Sequence, residues 1–193
     1  VVYYAFTHTS FNGAELTFGN FQRVFQPIYL KVLARSLKLA VISTVICLLL
    51  GYPVALVMAG NAFSRKSTIM LLFVIPMWMN FLLRTYAWLT LLERNGALNQ
   101  LLTRIGLPAL NILYTDYAVV LGMVYNFLPF MILPIYSVLS KIDQGVIEAA
   151  SDLGANKFVV FMRVILPLSL PGVVSGITMV FMPALTTFVI SRL

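Results

Sequence analysis

Charge and cysteine are scarce in this chain of 193 residues. Charged residues make up 10% of the sequence and hydrophobic residues 61%, and the mean hydropathy is +0.95. Such a composition excludes an ordinary soluble domain and indicates a membrane protein. The single cysteine, Cys47, lies inside an apolar run, so the chain by itself can form neither a disulfide framework nor a cysteine metal site.

Acidic residues are rarer than basic ones: the chain has 6 against 13, for a net charge of +7. In a soluble protein this excess would favour a nucleic-acid partner, but here the basic residues mostly flank apolar segments. We therefore attribute them to anionic lipid headgroups and to membrane topology. The expected environment is a lipid bilayer, with no nucleic acid.

The N-terminal segment lacks the marks of a targeting peptide. The chain begins at Val1, and "VVYYAFT" has neither a basic start nor a small-residue cleavage site. We expect this segment to be the tail of a helix that begins upstream. Residues 8–30 mix polar and apolar side chains and are expected to form an interfacial loop.

Four apolar segments approach or exceed the roughly 20 residues that a spanning helix needs. They are residues 39–59, 67–92, 117–140 and 164–191. None shows the ten-residue alternation of a barrel strand, and backbone groups in lipid must be satisfied internally. The sequence predicts an all-α membrane protein, a polytopic helical bundle of about four complete transmembrane helices plus the tail of another.

Proline is frequent in these apolar segments. Six lie within them or at their ends: Pro53, Pro76, Pro129, Pro134, Pro171 and Pro183. Proline is common in spanning helices, but six together favour helices shaped around a pathway. Gly172 and Gly176 form a small-xxx-small pair that would let another helix approach closely.

Arg84 is the one charge well inside a predicted span. One hypothesis is an interface anchor or a structural bond to a carbonyl; the other is a role in a translocation path or its gate. Aromatic neighbours, Trp88 among them, suit either a path or an interfacial belt. The candidate path or gate residues are Trp78, Asn80, Arg84, Tyr86 and Tyr125.

A polar insert separates the last two predicted spans. Asp143 is a plausible helix N-cap, and Gly154 a natural C-cap that permits a left-handed turn. A second helical pattern follows and ends at Leu166-Pro167. The pattern indicates a helix, a sharp turn and an amphipathic helix that re-enters the membrane. Such an exposed helix either docks into a partner or lies on the headgroups.

Glu148-Ala149-Ala150, with Gly154 six residues after the glutamate and Leu166-Pro167 at the end, resembles a known motif. It is the EAA loop of permease subunits in binding-protein-dependent ABC importers, of the MetI-like fold type. Val164 stands where that pattern usually has isoleucine. The flanking runs "LGYPVA", "IPMWMNFLLRTYAW" and "LPFMILPIYS" resemble the spermidine/putrescine branch. The resemblance covers nearly all of residues 1–193, as one transmembrane domain expected to be truncated at both ends.

The resemblance implies that residues 141–166 form a cytoplasmic loop that couples the permease to a separate ATPase subunit. The implied coupling residues are Glu148, Ala149, Ala150, Asp152, Gly154 and Ala155. The sequence contains no G-x-x-x-x-G-K-[ST] run, so ATP and Mg²⁺ are expected to be used by the partner and no catalytic residue or cofactor is expected here. A second permease subunit, identical or homologous, and an extracytoplasmic substrate-binding protein complete the implied assembly.

The implied location is a bacterial plasma (inner) membrane, crossed several times. A cytoplasmic coupling loop places residues 61–67 inside and residues 8–30 and 93–116 outside. The basic residues do not settle this orientation, because five fall inside and six fall outside or at the outer ends. The inner ones are Arg65, Lys66, Lys141, Lys157 and Arg163; the outer ones are Arg23, Lys31, Arg35, Lys38, Arg94 and Arg104.

The substrate expected from the resemblance is a polyamine. The predicted spans contain no carboxylate, so aromatic faces are the available contacts for a polycation. An ABC permease for iron, thiamine or an oxyanion stays an alternative within the class. A secondary transporter or channel, or a membrane scaffold without transport, are alternatives outside it, but both leave the EAA segment unexplained.

Overall fold

The computed structural model describes residues 7–10, 13–16, 27–60, 66–109, 112–113 and 115–190. Two strands and eight α-helices lie within these ranges: β1 (Thr7–Ser10), β2 (Gly13–Leu16), α1 (Pro27–Ala59), α2 (Lys66–Val74), α3 (Phe81–Leu92), α4 (Ala97–Arg104), α5 (Asp116–Leu139), α6 (Gln144–Asp152), α7 (Lys157–Val160) and α8 (Leu166–Ile190). A 3₁₀ turn, Ile75–Trp78, follows α2, and a π-helical turn, Phe161–Ile165, joins α7 to α8.

Within the described ranges, three helical segments are long and apolar enough to cross a membrane: Pro27–Ala59, Asp116–Leu139 and Lys157–Thr187. They match the first, third and fourth predicted spans. The first begins at Pro27 rather than at residue 39, because its basic and apolar residues continue the helix beyond the apolar run. Its 33 residues extend about 50 Å, which exceeds the roughly 30 Å hydrocarbon core of a bilayer.

α1, α5 and α8 pack against one another around Met131, Ile132 and Ile135, which are fully buried. A Cβ added to Gly172 would lie 2.9 Å from the Pro134 carbonyl oxygen, and one added to Gly176 would lie 2.8 Å from the Met131 sulfur. These two glycines therefore let α8 approach the backbone of α5, as the small-xxx-small pair predicts.

The second predicted span is not one straight helix. The segments Met70–Trp78 and Leu83–Arg104 meet at 101°. The break lies at the 3₁₀ turn that contains Pro76 and at the extended residue Met79, before Arg84, which is the one charge inside this predicted span. Proline lacks the backbone N–H that would continue the helix, which favours a break at this point.

Two contacts show how α1 and α5 are oriented relative to each other. Arg35, near the start of α1, forms an ion pair with Asp116 at the start of α5. The end of α1 at Gly60 and the end of α5 at Ser140 line one shared pocket. The two helices are therefore parallel, and the bent pair carries the chain back across. Counting that pair as one crossing gives the four predicted spans.

β1 and β2 correct one prediction. Within the expected interfacial loop, β1 and β2 form an antiparallel pair in which Thr7 lies opposite Leu16 and Ser10 opposite Gly13. Threonine is favoured in strands, which suits Thr7 and Thr9 to this pairing. The all-α prediction thus holds for the spans, and the β1–β2 pair is added to it. The predicted helix tail falls largely on residues 1–6, which lie outside the described ranges.

Candidate functional site

The polar insert folds as two short helices joined by a tight turn, as predicted. α6 begins after Asp143, whose carboxylate accepts a hydrogen bond from the Gly145 N–H at 3.0 Å. α7 begins after Asn156, whose side-chain oxygen accepts one from the Val159 N–H at 2.9 Å. Both N-caps satisfy backbone donors that a helix start leaves free.

Gly154 ends α6 in the left-handed conformation, at φ +85°. The Ala155 N–H donates to the Ala150 carbonyl at 3.1 Å, and the Gly154 N–H donates to the Ser151 carbonyl at 2.9 Å. This pair of bonds is the Schellman arrangement of a helix C-terminus. A Cβ added to Gly154 would meet no atom within 4 Å, so glycine is needed here for its backbone conformation rather than for space.

α6 has no buried residue, so most of its surface is exposed within the described part of the chain. The six predicted coupling residues share this helix and its C-terminal turn. Glu148, Ala149, Asp152 and Gly154 are exposed; Ala150 and Ala155 are half-buried.

Two large apolar side chains extend this surface: Leu153 is 89% exposed and Phe158 is 67% exposed. Neither residue was predicted from the sequence to contact a partner. Their position in a polar insert could have indicated a contact role, because large apolar residues outside the spans need a partner or a lipid surface. The predicted amphipathic pattern is confirmed in part: Phe161 and Ile165 are half-buried, while Phe158 and Met162 are exposed.

The insert is attached to the bundle through Tyr52 of α1. The Tyr52 ring meets the Phe161 ring edge-to-face, with centroids 6.0 Å apart. The Tyr52 hydroxyl lies 2.9 Å from the Ser169 hydroxyl, which in turn donates to the Leu166 carbonyl at 2.8 Å. Tyr52 therefore contacts both the π-helical turn and the first turn of α8. Tyr52 lies in the "LGYPVA" run, but that run did not predict these contacts.

Arg84 is held between α3 and α5. Its guanidinium donates to the Asn126 side-chain oxygen at 2.9 Å and to the Met79 carbonyl at 3.1 Å, across the break in the second span. Its Nε is buried and has no partner among the described atoms. The structural-bond hypothesis is therefore supported by a carbonyl contact, and Asn126 is a partner that sequence reasoning missed.

The other candidate path residues are only partly brought together. Tyr125 packs edge-on against Trp88, with ring centroids 5.1 Å apart. Trp78 is 86% exposed and Tyr86 is 67% exposed. Asn80 is exposed as well. Arg84, Trp88 and Tyr125 thus form one contact region between α3 and α5, whereas Trp78 and Tyr86 project outward.

A cavity of about 320 Å³ lies beside this contact region. Its walls come from α3, α5 and the end of α8, and they include Trp88, Asn126 and Thr187. Most of the lining is apolar, with an amide and several threonine hydroxyls. The described residues that line it carry no charge.

Comparison with known families matches residues 48–192 to the binding-protein-dependent transport system inner membrane component. The spermidine/putrescine transport system permease protein PotB of Haemophilus influenzae is 41% identical over 187 residues, 96% of this chain and 65% of that protein. PotB of Escherichia coli K12 is 39% identical over 95% of this chain and 68% of that protein. The chain thus spans about two thirds of the length of these relatives.

More distant matches agree on the class. The inner membrane ABC transporter permease protein YdcU of Escherichia coli K12 is 32% identical over 93% of this chain and 62% of its own length. Among solved structures, a bacterial ABC transporter involved in the import of alginate superposes with a TM-score of 0.74 at 17% identity, over 89% of this chain and 63% of that one. At this identity the likeness establishes the shared fold.

Proposed function

The chain belongs to the binding-protein-dependent transport system inner membrane component family, and on that premise we propose that it is the permease subunit of an ATP-driven importer of polyamines. The exposed α6 helix and its Gly154 turn carry the proposal, since they offer a docking surface on a multi-pass membrane bundle. The resemblance to the PotB permeases favours spermidine and putrescine as substrates.

Residues 141–166 serve as the cytoplasmic coupling segment in this proposal. A separate ATPase subunit binds the exposed face of α6, where Ala149 permits close approach and Leu153 and Phe158 supply apolar area. Glu148 and Asp152 provide charges that orient the contact. ATP and Mg²⁺ belong to that partner, and this chain contributes no catalytic group.

Motion of the ATPase reaches the bundle through the packed end of the coupling segment. A short helix fixed by two caps moves as a unit, and rigid-body movement of packed elements is a known class of switching transition. Tyr52 and the half-buried Ile165 link that segment to α1, α5 and α8. The helices then rock between inward-facing and outward-facing states around the translocation path.

The path runs along the α3–α5 contact region, in which Arg84, Trp88 and Tyr125 lie. Aromatic faces attract cations, so Trp88 and Tyr125 suit a polyamine. Asn126 and the Met79 carbonyl hold the Arg84 guanidinium in place, and this group keeps its positive charge. Arg84 therefore fixes the broken span, and the aromatic residues contact the substrate.

A second permease subunit encloses the path from the other side, and an extracytoplasmic binding protein delivers the substrate. The loops at 8–30 and 93–116 face that binding protein, and residues 61–67 lie in the cytoplasm with the coupling segment. This orientation follows from placing α6 next to the ATPase, since α1 and α5 are parallel and both end at the α6 side.

Uptake of labelled spermidine tests the proposal. Cells that lack their own polyamine importers would carry the complete transporter, with or without this subunit. We expect accumulation only with the subunit present, and competition by unlabelled putrescine but not by ferric ion or thiamine. Competition by ferric ion or thiamine, with none by putrescine, would instead indicate an importer of the same class for another solute.

A further inference from the structure

The outer face of α1 carries a stripe that is basic at one end and apolar at the other. It consists of Lys31, Arg35, Lys38, Ile42, Val45 and Leu49. These residues alternate by four and three positions, so they lie on one face of the helix. We refer to them as the α1 stripe.

Except at Arg35, which is half-buried, the α1 stripe faces away from the packed core. The buried residues of the same helix include Ser36, Ala40, Ser43 and Cys47, whose positions define a different face. Val45 is 48% exposed and Leu49 is 68% exposed. Lys31 and Lys38 are exposed at the other end of the stripe.

Among the described residues, an acidic group contacts the stripe's basic end. Asp116 forms its ion pair with Arg35, whose Nε donates to the carboxylate at 3.1 Å. This contact turns Arg35 toward α5. It also offsets the negative charge of Asp116, which would otherwise repel an anion. Lys31 and Lys38 are left with their ammonium groups at the surface.

The dimensions of the stripe match half of a bilayer. The apolar run from Lys38 to Leu49 rises about 16 Å along the helix, close to half of the roughly 30 Å hydrocarbon core. Lys38 then lies at the boundary of the hydrocarbon, and Lys31 lies about one headgroup layer farther out. Long basic side chains in such positions extend toward the phosphates.

We propose that the α1 stripe binds an anionic phospholipid, with its phosphate between Lys31 and Lys38 and an acyl chain along Ile42, Val45 and Leu49. Charge complementarity selects an anionic headgroup over a zwitterionic one. Each basic residue near an anionic surface raises the binding constant roughly fivefold. The apolar end matches one lipid chain in length. The proposal does not depend on which solute the protein transports or on which leaflet the stripe faces.

Photo-crosslinking tests the site. The full-length protein, with p-benzoyl-phenylalanine in place of Val45, would be reconstituted in nanodiscs of equal parts phosphatidylglycerol and phosphatidylcholine. Mass spectrometry of the adducts then counts the two lipids. We expect phosphatidylglycerol adducts in severalfold excess, and we expect the double variant K31E/K38E to reduce that excess by about tenfold or more.

The charge-matched variant R94E/R104E is the control, because both arginines are exposed and lie off the stripe. This control variant should keep the excess of phosphatidylglycerol adducts over phosphatidylcholine adducts. Equal adducts of both lipids in the parent protein would overturn the proposal, as would equal loss in the two double variants. A protein subunit as the main adduct, with the complete transporter in the nanodisc, would overturn it in favour of a helix interface.

Discussion

The Tyr52 hydroxyl lies 2.9 Å from the Ser169 hydroxyl, while the Tyr52 ring packs edge-on against Phe161. One side chain of α1 thus contacts both the turn that ends the coupling segment and the start of α8. The π-helical turn at this junction has the Leu166 N–H bonded to the Phe161 carbonyl, and Pro167 next to it lacks an N–H. Such turns often occur at functional sites.

Replacing Tyr52 with phenylalanine should weaken coupling more than it weakens the fold. The ring contact to Phe161 remains, but the hydrogen bond to Ser169 is lost, at a cost of about 1 kcal/mol in the free energy of unfolding. We expect spermidine uptake per ATP hydrolysed to fall severalfold in proteoliposomes that hold the complete transporter. Ser175→Ala is the control, because the Ser175 hydroxyl donates to the Pro171 carbonyl of its own helix. An unchanged ratio in Tyr52→Phe would show that the bond does not transmit motion.

Gly154→Ala should impair docking, whereas Gly145→Ala should not. Gly154 has φ +85°, where a side chain costs about 1–2 kcal/mol. Gly145 lies in the first turn of α6, and an added Cβ would come no closer than 3.6 Å to Asp143. Association of each variant with the ATPase subunit can be measured by surface plasmon resonance. Equal affinities for the two variants would contradict the role of the left-handed turn.

Gly172→Ala should destabilise the bundle, because the new Cβ would lie 2.9 Å from the Pro134 carbonyl oxygen and 3.0 Å from Val138. Overpacking of this kind typically costs about 1–3 kcal/mol. Gly122→Ala is the matched control, since nothing lies within 4 Å of its added Cβ. Thermal unfolding in detergent should show a lower Tm for Gly172→Ala only. A Tm unchanged by Gly172→Ala would mean that α8 lies farther from α5.

Arg84→Met should loosen the broken span without affecting the main bundle. The substitution removes the bonds to Asn126 and to the Met79 carbonyl while keeping an apolar stem. Hydrogen exchange should rise in Phe81–Leu92 and stay unchanged in α1, α5 and α8. Arg94→Met is the control, because Arg94 is exposed beyond the end of α3. Unchanged exchange in Phe81–Leu92 would indicate that Trp88 and Tyr125 hold this helix by themselves.

Sequence patterns anticipated the features that are local or strongly apolar. The caps of the polar insert followed from Asp143 and Gly154, because capping depends on residues within one or two turns. Gly172 and Gly176 predicted that another helix approaches α8 closely, but they did not predict that this helix is α5. The long spans followed from hydropathy alone.

Features that depend on tertiary contacts were missed. Pro53, Pro129 and Pro171 lie inside continuous helices, whereas Pro76 coincides with the break in the second span. From the sequence, each of these prolines is equally expected to bend its helix. Only the packing of the bundle distinguishes them. Tyr52 and Asn126 were overlooked for the same reason, since their partners lie far away along the chain.

Co-purification of the full-length permease with its ATPase subunit tests the central claim most directly. Wild type would be compared with Glu148→Arg and Gly154→Asp. Arg94→Glu is the control, because the proposed topology places Arg94 on the side of the membrane opposite α6. ATP turnover would be measured on each sample. We predict that wild type and Arg94→Glu retain the ATPase, while the two α6 variants lose it or hydrolyse ATP without transport. Retention and unchanged coupled turnover in both α6 variants would contradict the assignment of α6 as the coupling helix.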